Sequence, residues 1–383
     1  MTDFNVAIDA SRVKSGGGVA HLLGILGIDR VDTFGINQVH VWSHASLLNQ
    51  LPDRPWIVRH QPRVTEQSLA HQLAWQAFIL AGEARRANCQ ILFSEDATTL
   101  CRFKPMVALN HNMLPYEDRV MHIYGISKNG LHQRALLEIQ KRAFRAADGV
   151  IFLTRHAAER IQLFSGPLLQ TVIIPHGVGE VFKRTPHRAQ WPASNAEPVR
   201  CLYVSPIWEY KHQNVVVRAV RNLRDHGMNV TLTLTGGGNR RAREILDCQI
   251  AESDPRGEFV RVLEFVPHSE VPTLIADADL FIFASACETF GISLLEAMAV
   301  GVPIACSDRS SLPETLRDGG AYFDPEDDVS IAATLGKLIS DPDLRARLSV
   351  RAKVLAHGYS WDRCARDTWA YIAQTYRRVS GSA

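Results

Sequence analysis

The chain has 383 residues, 46% apolar and 21% charged, and its 42 Lys and Arg against 40 Asp and Glu leave a formal charge of +2. That length exceeds one ordinary core and predicts two domains of comparable size. The near balance of charge excludes a broad electrostatic case for nucleic-acid binding. No apolar stretch approaches the length of a membrane span.

The N-terminus runs directly into an apolar strand, Asn5-Val-Ala-Ile-Asp9, without signal-peptide architecture. Ser15-Gly16-Gly17-Gly18 follows and leads into a helical run over 19–26. A dinucleotide fingerprint would need another small residue at His21, which argues against a nicotinamide enzyme. Further β-rich runs lie at 38–43, 56–59, 91–94, 106–110, 150–154 and 171–175, with a helix over 128–147. On that helix Leu136, Ile139, Ala143 and Ala146 share one face, and Arg134, Lys141 and Arg145 form a basic stripe opposite. The stripe has two readings, solvated charge or attraction to an anionic membrane surface.

The polar, proline-containing stretch 183–198 has no periodicity and reads as a linker. Alternation restarts with strands at 200–205, 229–235, 260–265, 280–285 and 303–307, each followed by a helical segment. A capped helix from Ser360 to about 378 carries Trp361, Trp369 and Tyr376. The class is therefore α/β: two Rossmann-like, doubly wound parallel-sheet domains facing across a cleft. The expected division is 1–182, linker 183–198, and 199–361, with 362–383 packing back onto the first domain. Seven cysteines (Cys89, Cys101, Cys201, Cys248, Cys287, Cys306 and Cys364) show no metal or redox spacing, and several sit in apolar runs as small hydrophobes. Unpaired thiols and the absent leader predict a cytoplasmic protein.

One glutamate is out of place. In Cys287-Glu-Thr-Phe-Gly-Ile-Ser-Leu-Leu-Glu-Ala-Met-Ala-Val-Gly301 the helix expected over 291–300 is apolar almost all round, yet Glu296 sits in its middle. A buried carboxylate without partners costs several kcal/mol or is protonated. A vicinal diol satisfies it well, because two hydroxyl donors match two oxygens. Eight positions earlier Glu288 precedes the helix N-terminus, where the amides of Phe290, Gly291 and Ile292 favour an anion and Gly291 allows close approach. The competing reading makes Glu288 a cap and pairs Glu296 with a buried Arg or Lys.

Glu288-Thr-Phe-Gly-Ile-Ser-Leu-Leu-Glu296 resembles the E-x7-E signature of retaining GT-B glycosyltransferases of the family 4 type, and Ala-Met-Ala-Val-Gly-Val-Pro303 resembles its continuation. The resemblance is clear from about residue 150 onward and looser before. It implies that Glu296 binds the donor ribose, that Glu288 contacts the transferred sugar, and that Thr289, Phe290, Gly291 and Ile292 border the donor. Ile173-Ile-Pro-His-Gly-Val-Gly179 is similar to the family's strand and turn before the linker. Tyr203-Val-Ser-Pro-Ile-Trp-Glu-Tyr-Lys-His-Gln-Asn214 is similar to its first loop in the second domain, which makes Lys211 the cation for the donor diphosphate.

The family likeness further implies a glycine loop at Gly17 and Gly18 that closes on the donor phosphates, although a plain tight turn accounts for these glycines equally well. It implies contact of His111 with the transferred sugar, with a merely hydrogen-bonded structural histidine as the equal alternative, and base recognition by main chain near Val266 and Pro267. Gly236-Gly-Gly238 is expected to border the nucleotide. Two positions depart from the family. Pro206 stands where an arginine is common, so that either the diphosphate holds one cation fewer or Arg240, Arg241 or Arg309 compensates, and Asn112 stands where an aspartate commonly follows the histidine.

Asp277-Ala-Asp279 matches a metal-binding D-x-D only superficially, since it joins a helix end to a buried strand. The expected function is hexosyl transfer from a nucleotide-diphosphate sugar to a glycan or lipid-linked acceptor, with retention, in bacterial polysaccharide or glycoconjugate assembly. No metal or other cofactor and no nucleic acid is expected, and peripheral contact with the inner membrane face would accompany a lipid-linked acceptor. The alternative is a catalytically silent GT-B subunit acting as a binding or partner protein.

Overall fold

The computed structural model describes residues 3–381. The chain forms two compact units, residues 1–177 with 360–383, and residues 178–359. Residues 382 and 383 of the expected C-terminal helix lie outside the described residues.

The first unit carries seven strands: β1 (Phe4–Asp9), β2 (Ile36–Trp42), β3 (Ile57–His60), β4 (Cys89–Ser94), β5 (Met106–Leu109), β6 (Gly149–Phe152) and β7 (Thr171–Ile173). They pair in the order β3-β2-β1-β4-β5-β6-β7, all parallel. The central strands are apolar runs buried on both faces, as crossover helices require. The order reverses between β1 and β4, so the loops after Asp9 and Ser94 open onto the position where such sheets take ligands.

The last helix, Trp361–Ser380, belongs to this unit. Ser360 accepts from the Arg363 amide at 3.2 Å and starts it. Trp369 is fully buried, and its Nε1 donates to the Ile25 carbonyl at 2.8 Å on the helix Gly17–Leu26. Gly24 makes this packing possible, because a Cβ there would stand 2.2 Å from the Trp361 ring.

The second unit has six strands: β8 (Val199–Val204), β9 (Val230–Thr235), β10 (Val260–Leu263), β11 (Leu280–Phe283), β12 (Ile304–Ser307) and β13 (Ala321–Phe323). Their order is β10-β9-β8-β11-β12-β13, again parallel, with the reversal between β8 and β11. The three-residue edge strand β13 is absent from the sequence reading, since so short a segment beside Gly319-Gly320 has no periodicity.

The stretch read as a linker at 183–198 is instead docked on the second unit. The Arg188 and Ala189 amides share the Ala276 carbonyl, His187 Nε2 lies 2.8 Å from the Ala278 carbonyl, and the Arg345 guanidinium covers Trp191 at 3.4 Å. Polarity and proline hid these contacts because none of them rests on a periodic apolar face.

The helix Lys128–Ala146 turns inward a face shifted from the one expected, keeping Leu136 and Ala143 but not Ala146. Leu136, Gln140, Ala143 and Phe144 are buried while Ala146 is exposed. Gln140 Nε2 donates to Thr98 Oγ1 at 2.9 Å, so an amide replaces hydrocarbon there. Of the basic stripe, Lys141 pairs with Glu138 at 2.7 Å and Arg145 donates to the Ser165 carbonyl at 2.7 Å.

Candidate functional site

In the second unit the residues singled out from sequence gather at the carboxyl edge of the sheet. The chain leaves β8 through a loop whose 3-10 turn Glu209–Lys211 delivers Lys211, fixed by the Tyr203 hydroxyl donating to the Lys211 carbonyl at 2.7 Å. The chain leaves β11 toward Glu288, whose main chain is clamped by Ser310 and Ser311: the Glu288 amide donates to Ser310 Oγ at 3.1 Å, and both hydroxyls donate to its carbonyl. Lys211 Nζ and Glu288 Oε1 form an ion pair, with the ammonium near the Phe283 and Tyr210 rings at 5.4 and 5.3 Å. Two residues expected in separate roles thus neutralise each other.

Gly291 follows in a left-handed conformation, φ 89°, and a Cβ there would meet Leu312 Cδ2 at 2.9 Å. It opens the helix Ile292–Val300, which ends at a second left-handed glycine, Gly301, whose amide donates to Ala297. The first-turn amides have no partner within the helix and face its N-terminal end. Thr289 and Phe290 are buried; the Phe290 ring packs on Tyr359 at 5.7 Å, making it a core anchor.

Glu296 is buried among Leu294, Leu295, Ala297 and Met298, with a side chain 7% exposed. Its partner is not the Arg or Lys of the competing reading. His268, 74% exposed, places Nε2 2.9 Å from Glu296 Oε1. Burial pushes the Glu296 carboxyl above the ordinary range, opposed by the hydrogen bond and charge of His268. The hydrogen bond to Glu296 in turn raises the imidazole, against a smaller lowering by burial.

Val266 is half-buried and Pro267 exposed, and the Pro267 carbonyl accepts the Glu270 amide at 2.8 Å. Gly236-Gly-Gly238 has a structural duty. Cβ atoms at Gly236 and Gly238 would stand 2.3 and 2.1 Å from the carbonyl oxygens of Ser205 and Ile207, so these glycines let the loops after β8 and β9 join.

Among the arginines expected to compensate for Pro206, Arg240 pairs with Glu244 at 2.7 Å, and Arg309 with Asp324 at 2.5 Å and Asp308 at 3.4 Å. The D-x-D pair is structural: Asp277 meets Arg188 at 3.2 Å, and buried Asp279 accepts the amide and guanidinium of Arg200.

In the first unit Gly17 and Gly18 begin a helix, Gly17–Leu26, behind the left-handed Gly16. A Cβ on Gly18 would stand 3.1 Å from Val13 and 3.5 Å from the His111 ring. His111 belongs to an array that the sequence reading missed. Glu95, fully buried, receives His21 Nδ1 at 2.5 Å and His111 Nε2 at 3.2 Å on the same oxygen. The His176 ring stacks parallel to His111 at 5.4 Å.

Burial alone would raise the Glu95 carboxyl, but the charges and hydrogen bonds of His21 and His111 outweigh it and hold the group below the ordinary range. Ligand-type atoms of His21, Glu95 and His111 all lie within 4.8 Å of one another. Both ring nitrogens converge on one carboxylate oxygen, so hydrogen bonding accounts for their closeness. The signal for Glu95 was present in sequence: an acid directly after an apolar strand bordering the order reversal. Asn112, the family departure, caps its own loop, exchanging bonds with Asn110 and accepting the Leu114 amide at 3.1 Å.

Residues 185–354 match the family described as Glycosyl transferases group 1. The O-antigen chain mannosyltransferase B of Escherichia coli is 37% identical over 120 residues, 31% of this chain and 32% of that protein. Other curated relatives are matched over 36–63% of their own length, so the chain spans less than two thirds of the curated relatives it matches. Sucrose-phosphate synthase from Thermosynechococcus elongatus superposes with a TM-score of 0.79 at 17% identity, covering 99% of this chain and 100% of that one. HepE from Anabaena in complex with UDP-glucose gives 0.73 at 19% identity, over 98% and 100%. The chain is a protein of two Rossmann-like domains with the GT-B fold, similar over residues 185–354 to the group 1 glycosyl transferases.

Proposed function

We propose that this chain is a retaining glycosyltransferase of the family 4 type that moves a hexose from a nucleotide-diphosphate sugar to a glycan or lipid-linked acceptor. The observation that carries the reading is Glu296: a carboxylate enclosed by an apolar helix whose side-chain partner is one exposed histidine. The E-x7-E spacing around it, the family match over 185–354 and the mannosyltransferase among the relatives support the same conclusion.

In this reading Glu296 takes the ribose hydroxyls, the first-turn amides of Ile292–Val300 take the diphosphate, and Lys211 neutralises the charge that grows as it leaves. An arriving diphosphate competes for the Lys211 ammonium and frees the Glu288 carboxylate for hydroxyls of the sugar. The bond from the anomeric carbon to the diphosphate oxygen breaks, the acceptor oxygen bonds to that carbon from the same face, and its proton leaves with the diphosphate. Lys211 and the amides meet the charge without a metal. Gly17, Gly18 and His111 act on phosphates and sugar from the first domain.

Bacterial polysaccharide or glycoconjugate assembly in the cytoplasm is the setting this reading favours, with peripheral membrane contact if the acceptor is lipid-linked. No helix among the described residues is long and apolar enough to cross a membrane. Nucleotide release from a panel that includes GDP-mannose and UDP-glucose, with bacterial glycan acceptors, tests the activity. A chain that binds nucleotide sugars and turns none over would be the silent GT-B subunit, a reading that Pro206 and Asn112 leave open and that Glu288, Glu296 and Lys211 speak against.

A further inference from the structure

Resting on the donor-site reading above, we propose that His268 is the second half of the diol receptor and makes the site selective for ribonucleotides over deoxyribonucleotides. The turn that follows β10 is closed by the Glu270 amide on the Pro267 carbonyl at 2.8 Å, and this turn holds the imidazole against Glu296. The two partners differ sharply in exposure, 74% for the His268 side chain and 7% for Glu296. A mostly solvated imidazole can exchange its hydrogen bond to the enclosed carboxylate for one to water.

The other acidic residue of the site is arranged differently. Lys211 and Glu288 are 8% and 16% exposed, so both ends of that pair are enclosed. Only at Glu296 can the partner rotate into solvent, and the Phe182 ring, 5.4 Å from His268, limits that rotation on one side.

The chemistry of a diol fits this opening. A carboxylate only accepts hydrogen bonds, whereas each hydroxyl both donates and accepts. A hydroxyl placed between His268 Nε2 and Glu296 Oε1 donates to the oxygen and accepts from the ring, while its neighbour donates to the other oxygen. A 2′-deoxynucleotide lacks one hydroxyl, so it leaves one of these groups unmatched. Rejection is therefore built from two side chains, one from each side of the inserted oxygen.

The test is calorimetric titration of the full chain with UDP, GDP, ADP and their 2′-deoxy counterparts, for wild type, His268→Ala, His268→Gln and Glu296→Ala. The expected result is that His268→Ala weakens the best ribonucleotide about tenfold and reduces its preference over the deoxy form by a similar factor, a change in preference that a merely structural role would not produce. Gln, which keeps a donor, recovers most of the loss. If Glu296→Ala abolishes binding while His268→Ala leaves affinity and preference unchanged, this proposal is overturned and the donor site stands. If no ribonucleotide binds wild type, the donor-site reading falls, and the role of His268 with it.

Discussion

Glu95 holds two histidines through one oxygen: its Oε1 lies 2.5 Å from His21 Nδ1 and 3.2 Å from His111 Nε2. An ionised carboxylate can only accept, so both of those ring nitrogens carry protons, which fixes the tautomer of each ring when neutral. The side chain most suggestive of function in the first unit is thereby oriented from behind by a buried charge.

Glu95→Ala removes the shared acceptor of two buried or half-buried rings and should destabilise the chain by about 2–3 kcal/mol. The near-isosteric Glu95→Gln should cost less. Chemical denaturation of the two variants beside wild type checks the order, and equal midpoints would contradict it.

Acid should weaken the fold in two stages. His176 is held well below its ordinary value of 6.5 by burial and by the neighbouring His21 and His111. The unfolded chain therefore takes up a proton near pH 6.5 that the folded chain refuses, and stability falls as pH drops below that value. Glu95 is also lowered, so its contribution is complete above the unfolded carboxyl range and disappears as pH falls through its depressed folded value. His176→Phe, which keeps an aromatic ring against His111, should flatten the loss between about pH 7 and pH 5 in denaturation series.

The Lys211–Glu288 pair predicts a double-mutant cycle with strong coupling. Removing one partner of an enclosed pair leaves an uncompensated charge, costing about 3 kcal/mol. Lys211→Ala with Glu288→Ala should therefore destabilise less than the sum of the single variants, by more than about 1 kcal/mol. Additive melting shifts would mean that the pair does not hold in solution.

Gly291→Ala places a Cβ 2.9 Å from Leu312 Cδ2 at a φ of 89°. A loss of about 1–2 kcal/mol is expected from strain of this kind, measured by thermal or chemical unfolding.

Glu296→Ala should leave the fold intact and weaken nucleoside diphosphate binding at least tenfold, since the diol loses an ionised acceptor. Thermal shift with UDP, GDP and ADP reads both quantities at once. Undiminished stabilisation by the ligand would remove Glu296 from the site.

Much of the sheet architecture was legible because central parallel strands are continuous apolar runs bounded by turns. Strands such as 91–94 and 280–285 differ from β4 and β11 only at their ends. Errors arose where the signal is not apolar periodicity. β13 is too short to show a period, Gln140 enters a core through an amide, and the segment at 183–198 docks by amides, an imidazole and a guanidinium–indole contact rather than by an apolar face.

The site divides in the same way. The out-of-place Glu296 was visible as a charge inside an apolar helix, and Gly291 as the residue that lets the chain turn into it. Glu95 carries a weaker mark, an acid directly after an apolar strand, and His268 carries none, because it is recognised only by the side chain opposite.

Sequence by itself determined the alternation of strand and helix, the identity of the buried carboxylate and the glycines that the backbone requires. These follow from local preference and from the cost of burying charge, both of which act along the chain. Only the tertiary structure decided that Lys211 meets Glu288, that His268 meets Glu296 across 28 residues and that Glu95 meets His21 across 74. Such pairings depend on which strand ends the sheet order brings together, and parallel crossovers separate those ends widely in sequence while placing them side by side in space.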